Sequence, residues 1–438
     1  MFGLHPRPKT PLSVEHRLPR VFLTVALAHE AQRDRDGLDL LRRQLPPGQD
    51  AHIHTLSTLN VAEAARSDYV LALFCEPDTL DALADAVLGA RASGLEPVLV
   101  VAVHPRDLTR LGRWLKRRAD DNRLGGARLM VALDVEDATH QLADRLRPVT
   151  EDNVIRMPRS SEIDDAAAHA FFVFSPELQS LIGRLRGFAL NGIDRVLLLG
   201  GPGTGKTSLA YFYYLLRHRG RFVSVNLAAE NTGDKGAVKS LLCGHVSGAF
   251  PGAGARVGAF LHARDGVCFL DESHQISGAV MEVLMEALDS GQYLPYGASA
   301  KQPLECALLF ASNRSWQQLQ SAVNLDEFTR LGAAIVDVPP LARRQEDLIA
   351  VVATTLARLA APCRSWVPPE GLTPDAWQRL RDARWHGNVR GLIRVLESAF
   401  VDTTMTPGSV LIELPAVETG LQRWEPSAHH SHALYAAA

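Results

Sequence analysis

From Arg20 onward, short apolar runs alternate with longer amphipathic ones, a pattern that predicts strands separated by helices. Val21 to Ala28 (VFLTVALA), Ala51 to Leu56, Tyr69 to Cys75 (YVLALFC), Pro97 to Val103 (PVLVVAV) and Ala127 to Leu133 (ARLMVAL) read as strands. Helices are expected over Gly37 to Leu45, Val61 to Arg66, Thr79 to Ala92 and Leu108 to Arg118, with a last one ending near Arg145. Strands that are apolar at every position are covered on both faces, which implies a parallel sheet between helical layers. Residues 20–147 therefore predict a flavodoxin-like α/β domain. The proline-bearing residues 1–19 predict a loose arm, and the polar stretch 148–170 a linker. A second α/β series covers 171–338, helical patterning dominates 339–415 after Pro339 and Pro340, and 416–438 predict an irregular tail.

Length and composition narrow the class. A chain of 438 residues with 46% hydrophobic and 22% charged residues predicts a soluble protein of two or three domains. A formal charge of -3 removes any global attraction to nucleic acid or to an anionic membrane. Cys75, Cys243, Cys268, Cys306 and Cys363 show no metal-ligand spacing, and most lie in apolar runs. That predicts reduced thiols and a cytoplasmic location. No apolar run is long enough to span a bilayer, and Val21 to Ala28 is too short and too late for a signal peptide.

Two motifs carry chemistry. Arg195 to Leu199 (RVLLL) predicts a buried strand running into Gly200, Gly201, Pro202, Gly203, Thr204, Gly205, Lys206, Thr207 and Ser208. This is the GxxxxGK-Ser/Thr phosphate loop between a strand and a helix. Its glycines let backbone amides approach phosphate oxygens, Lys206 adds a point charge, and the Thr207 hydroxyl suits Mg²⁺. The helix that follows directs its positive end at the anion. Further on, Val267 to Leu270 (VCFL) predicts a strand ending in Asp271 and Glu272. Carboxylates there face the same crevice, Asp271 to hold magnesium and Glu272 to activate water. Together these predict binding and hydrolysis of ATP.

Six further segments, in order over roughly residues 170–415, resemble bacterial enhancer-binding proteins, the sigma-54-dependent activators. Phe222 to Glu230 (FVSVNLAAE) resembles FVxVNCAA, and Leu241 to Ala253 (LLCGHVSGAFPGA) resembles LFGHxxGAFTGA. Val257 to Ser273, Leu308 to Arg314 (LLFASNR), Arg330 with Val338 to Leu348 (VPPLARRQEDL), and Trp385 to Arg390 (WHGNVR) complete the set. The resemblance implies an AAA+ P-loop NTPase core with a C-terminal α-helical lid, acting as a ring of copies, with a hexamer expected. It implies a sensor role for Asn313, a second sensor in Arg390, an arginine finger in Arg330, and restraint of Glu272 by Asn226. It also implies a partner loop of Gly248, Ala249, Phe250, Pro251, Gly252 and Ala253 that touches sigma-54 RNA polymerase.

Four departures separate this chain from the activators' pattern. Pro251 replaces the loop's threonine and brings a fixed φ with no N–H. Asn324 stands where the family has a further arginine, and the phosphate loop reads GGPGTGKT in place of the usual GExGTGKE. No C-terminal helix-turn-helix is evident, so no direct DNA-binding domain is expected. These leave open an AAA+ ATPase remodelling a different client, as in a stress or phage-defence system, or a nucleotide-gated scaffold. In the front domain, His29–Glu30, Glu76 and Asp134 do not reproduce a receiver's acidic cluster, aspartate and lysine. Asp78 reads as a helix cap, and the basic face of Leu108 to Arg118 as solvated surface.

Overall fold

The computed structural model describes residues 22–28, 34–44, 50–55, 60–121, 123–157, 170–227, 235–273, 278–322, 334–363, 366–406 and 408–425. In the front half, β1 (Phe22–Leu27), β2 (Asp50–Thr55), β3 (Tyr69–Leu73), β4 (Val98–Val103) and β5 (Ala127–Val131) form one sheet. All pairs are parallel and the order is β2-β1-β3-β4-β5, the flavodoxin-like arrangement. The unbroken apolar strands feed two cores. Leu99, Val101 and Val103 of β4 join one, and Val98, Val100 and Ala102 join the other, as a period of two requires. Helix α1 (Leu108–Asp120) follows β4. Its basic residues are not simply solvated as expected: Arg110 pairs with Glu76 at 2.9 Å, Arg118 with Asp85 at 2.6 Å, and Arg117 with Asp81. Arg118 is buried, because acids on the preceding helix, Pro77–Ala92, make that burial tolerable.

Part of the expected linker is built structure. β6 (Val154–Arg156) pairs antiparallel with β7 (Ala170–Phe172). The polar side chains that suggested a linker are consumed as internal partners. Buried Asn153 accepts from Ala127 N at 2.7 Å and donates to Val173 O at 3.0 Å, so it sews the hairpin to the front sheet.

The second sheet comprises β8 (Arg195–Leu199), β9 (Phe222–Asn226), β10 (Val267–Asp271), β11 (Ala307–Ser312) and β12 (Ala334–Asp337). The strands are parallel in the order β12-β8-β11-β10-β9. The carboxyl ends of β8, β10 and β11 therefore share one edge, and α2 (Lys206–Arg217) starts there. The C-terminal part is helical, with α3 (Gln345–Ala360), the helix Pro374–Arg381, α4 (Asn388–Thr404) and α5 (Leu414–Trp424). Helix α5 overturns the irregular tail expected from residue 416: Val417, Gly420 and Leu421 are buried. Val395 and Leu396 of α4 belong to the same core as Val417 and Leu421. Among the described residues, no helix is long and apolar enough to cross a membrane.

The front domain and the helical part share one core. Leu108, Leu111, Trp114 and Leu115 of α1 cluster with Ile349, Val352, Ala353 and Leu356 of α3. The helices meet at backbone distance, since a Cβ on Gly112 would lie 1.8 Å from Ala353 O. At one end of the contact, Thr109 N donates to Glu370 O at 2.9 Å and its hydroxyl to Pro369 O at 3.1 Å. At the other, Arg128 of β5 meets Glu346 at 3.1 Å, both side chains being 2% exposed. Arg128 also donates to Phe174 O and Pro148 O, and Leu129 N donates to the second oxygen of Glu346. Buried charges of this kind persist only with most of their hydrogen bonds filled. The two domains are thus joined by apolar area and by a polar clasp in which both Glu346 oxygens and the terminal Arg128 nitrogens are bonded, while Arg128 Nε has no partner.

Candidate active site

β8 ends at Leu199, six residues turn, and α2 begins at Lys206. Gly203 and Gly205 have φ of 71° and 99°, where a side chain is strained. At Gly203 a Cβ would also sit 2.5 Å from Gly387 O of the helical part, so space and backbone both demand glycine. The Thr204 hydroxyl donates to Gly201 O at 2.9 Å and braces the turn. Thr207 and Ser208 fall in the first turn of α2, whose dipole favours an anion ahead of it.

Lys206 is 8% exposed and donates to Gly200 O at 2.7 Å, Gly201 O at 3.1 Å and Asn313 Oδ1 at 2.5 Å. Asn313, just past β11, donates from Nδ2 to both oxygens of Glu272 at 2.9 Å. The amide's orientation follows from chemistry, because lysine can only donate and an ionised carboxylate only accept. Lys206, Asn313 and Glu272 thus form a continuous polar line across the strand ends. Asp271 accepts from Glu272 N at 2.8 Å and stands opposite Asn226 in the β9–β10 register. Glu272 itself has φ of 54°, a left-handed conformation that costs free energy outside glycine.

The electrostatics suit an anion with a cation beside it. Burial lowers the pKa of Lys206, although Asp271 and Glu272 pull it back up. Burial raises the pKa of Asp271, with opposing help from Lys206 and Arg390. Each charge is desolvated and only partly compensated, the condition under which a phosphate at Lys206 and a cation at Asp271 would be favoured. Arg390 of α4 lies beside the loop, where a Cβ on Gly203 would sit 3.0 Å from Arg390 Cβ, and its charge is felt by Lys206 and Asp271. Arg330 lies outside the described residues, as does Asn324.

The loop around Phe250 is the tip of a short hairpin whose stem pairs Gly244 with Val257 and His245 with Arg256. Gly248 and Gly252 take φ of 77° and 80°, and Gly248 N donates to Ala253 O at 3.0 Å across the tip. Ala249, Phe250 and Pro251 lie within this turn. Phe250 is 44% exposed, held between His245 and Tyr296 at ring distances of 5.0 and 6.3 Å.

A family described as the sigma-54 interaction domain matches residues 172–336. This segment is similar to the sigma-54 interaction domain, a domain of the AAA+ type. The regulator NtrC of Bradyrhizobium sp. is 34% identical over 235 residues, which are 51% of this chain and 48% of that protein. The regulator ZraR of Klebsiella oxytoca is 32% identical over 253 residues, 56% of this chain and 55% of that protein. The chain thus spans about half the length of these curated relatives. NtrX from Brucella abortus has the same fold, with a TM-score of 0.50 at 18% identity over 95% of this chain and 89% of that one.

Within the matched segment, the structure brings Lys206, Asp271, Glu272 and Asn313 together, with Asn226 beside Asp271. Asn388 and Arg344 of the helical part also touch the phosphate loop and were not foreseen. The signal was present, since Asn388 lies in WHGNVR and Arg344 in VPPLARRQEDL. In the front domain the acids are used structurally: Asp134 caps the helix Val135–Arg145 and Glu76 pairs with Arg110. His29 and Glu30 lie outside the described residues. Just past β3, Phe74 stacks on His104 with centroids 3.8 Å apart.

Proposed function

We propose that this chain binds and hydrolyses ATP with Mg²⁺ and remodels sigma-54 RNA polymerase as a cytoplasmic ring of copies. The observation that carries this is the Lys206–Asn313–Glu272 line at the phosphate loop inside a segment similar to the sigma-54 interaction domain. The residues fit the substrate: Gly203 and Gly205 hold the positive φ that the turn around a phosphate requires, and a buried lysine and a desolvated carboxylate lie beside it.

On binding, Lys206 would exchange the Gly200 and Gly201 carbonyls for phosphate oxygens, a better partner for a desolvated cation. Thr207 and Asp271 would hold the magnesium, which supplies charge neutralisation at the phosphates. Glu272 would orient the attacking water and take its proton, while Asn313 holds that carboxylate in place. Asn226, next to Asp271, would restrain the same region. Arg390 would reach the nucleotide from the lid, and Arg330 would serve a neighbouring copy. Phe250 would present an apolar contact to the client at the end of the hairpin.

The test is capture of sigma-54 by the full chain with ADP–aluminium fluoride, compared with ADP alone. Capture that needs the analogue and is lost in Phe250→Ala supports the proposal. Failure to capture sigma-54 in any nucleotide state refutes the client assignment.

A further inference from the structure

The phosphate loop is held from outside by the lid. Three consecutive loop carbonyls accept hydrogen bonds from three lid donors. Pro202 O takes Asn388 Nδ2 at 2.9 Å, Gly203 O takes Val389 N at 3.1 Å, and Thr204 O takes Arg344 Nη2 at 3.2 Å. Asn388 is 3% exposed and Arg344 1%, so these bonds are sheltered from water. Each peptide plane is rigid, and turning its carbonyl outward turns the next residue's amide inward. The lid donors therefore set the direction of the amides at Gly203, Thr204 and Gly205, which belong to the phosphate cradle.

Asn388 is built for this position. Its φ is 50°, a conformation asparagine tolerates better than most residues. Its Oδ1 accepts from Leu341 N at 2.9 Å while Nδ2 reaches the loop, so one amide ties the start of the lid to Pro202. Arg344 stands directly before α3, whose Glu346 grips Arg128 of the front domain. Asp347 in the same turn accepts from Phe174 N at 2.7 Å and Ser175 N at 3.2 Å. The element that touches the phosphate loop is thus the one on which the front domain is clasped.

We infer that Asn388 and Arg344 are positioning residues for the nucleotide: the loop's phosphate-binding shape is imposed by the lid, whose own position the front domain fixes. This rests on the ATP-binding reading above. Losing one such bond should weaken ATP binding and leave the chemical step alone, because neither residue lies on the Lys206–Asn313–Glu272 line.

The experiment uses the full chain and measures ATP turnover and the melting temperature of three variants. Asn388→Asp keeps an acceptor for Leu341 N but has no donor for Pro202 O. Asn388→Gly keeps the backbone conformation and deletes both bonds. Arg344→Gln is compared with Arg344→Lys, which retains a charged donor. The expected result is a KM for ATP raised about three- to ten-fold in Asn388→Asp, Asn388→Gly and Arg344→Gln, with kcat within about two-fold. Arg344→Lys should recover part of the loss. An unchanged KM in folded Asn388→Asp and Asn388→Gly overturns the inference, as does a fall in kcat at constant KM. Absence of ATP binding by the unaltered chain would instead sink the nucleotide reading on which it rests.

Discussion

Truncating Glu346 tests how firmly the front domain is fastened to the helical part. In Glu346→Ala, Arg128 stays 2% exposed and loses its counter-ion, while Leu129 N loses its acceptor. Removing one member of a buried pair costs about 3–5 kcal/mol, and an orphaned amide adds about 1–3 kcal/mol. Arg145, 3.9 Å from the same carboxylate, is more exposed and can turn to water, so it adds little. A total of roughly 4–8 kcal/mol rivals the whole stability of many domains and should undock the front domain. Replacing both partners, as Arg128→Met with Glu346→Met, leaves no stranded charge and only the Leu129 amide without its acceptor, so it should cost about 1–3 kcal/mol. Urea unfolding gives the energies, and hydrogen exchange across residues 108–120 and 345–360 reports the undocking. Equal destabilisation by the single truncation and the double replacement would refute the claim that this clasp is electrostatically coupled.

Other outcomes follow from the same geometry. Glu272→Gln should lower ATP turnover by about 10²- to 10⁴-fold with ATP affinity retained, as measured by turnover and calorimetry. Phe250→Ala should leave ATP turnover of the isolated chain within about two-fold, because Phe250 contacts only His245 and Tyr296 among the ring pairs described. Burial lifts the Glu346 carboxyl from 4.5 to about 7, so the folded chain holds this proton more tightly than the unfolded chain. Its contribution is therefore full below about pH 4.5 and fades as pH rises through 7. The melting temperature of the unaltered chain relative to Glu346→Gln should fall across that window, and a rise would contradict the assignment.

Local signals made the two sheets and the phosphate loop legible in the sequence. The runs RVLLL and VCFL are apolar at successive positions because both faces of their strands are covered, and the acids that end the second run stand out against it. What escaped depends on partners distant in sequence. Arg128 lies within ARLMVAL as an ordinary interruption, and only the fold brings it to Glu346, 218 residues away. Gly112 reads as a weak point in a helix, whereas it permits backbone contact with Ala353. Residues 148–170 looked like a linker because Asn153 and its neighbours spend their polarity on internal bonds. Helix α5 is hard to read from the sequence because its buried apolar positions, Val417 and Leu421, gain meaning only against α4.

Calorimetric titration of the full chain with ATP and Mg²⁺, alongside Lys206→Ala, tests the central claim most directly. The account predicts saturable binding by the unaltered chain, and loss of at least about ten-fold in affinity when the lysine that spans Gly200, Gly201 and Asn313 is removed. Equal affinity in the two proteins, or no heat of binding in either, would contradict it.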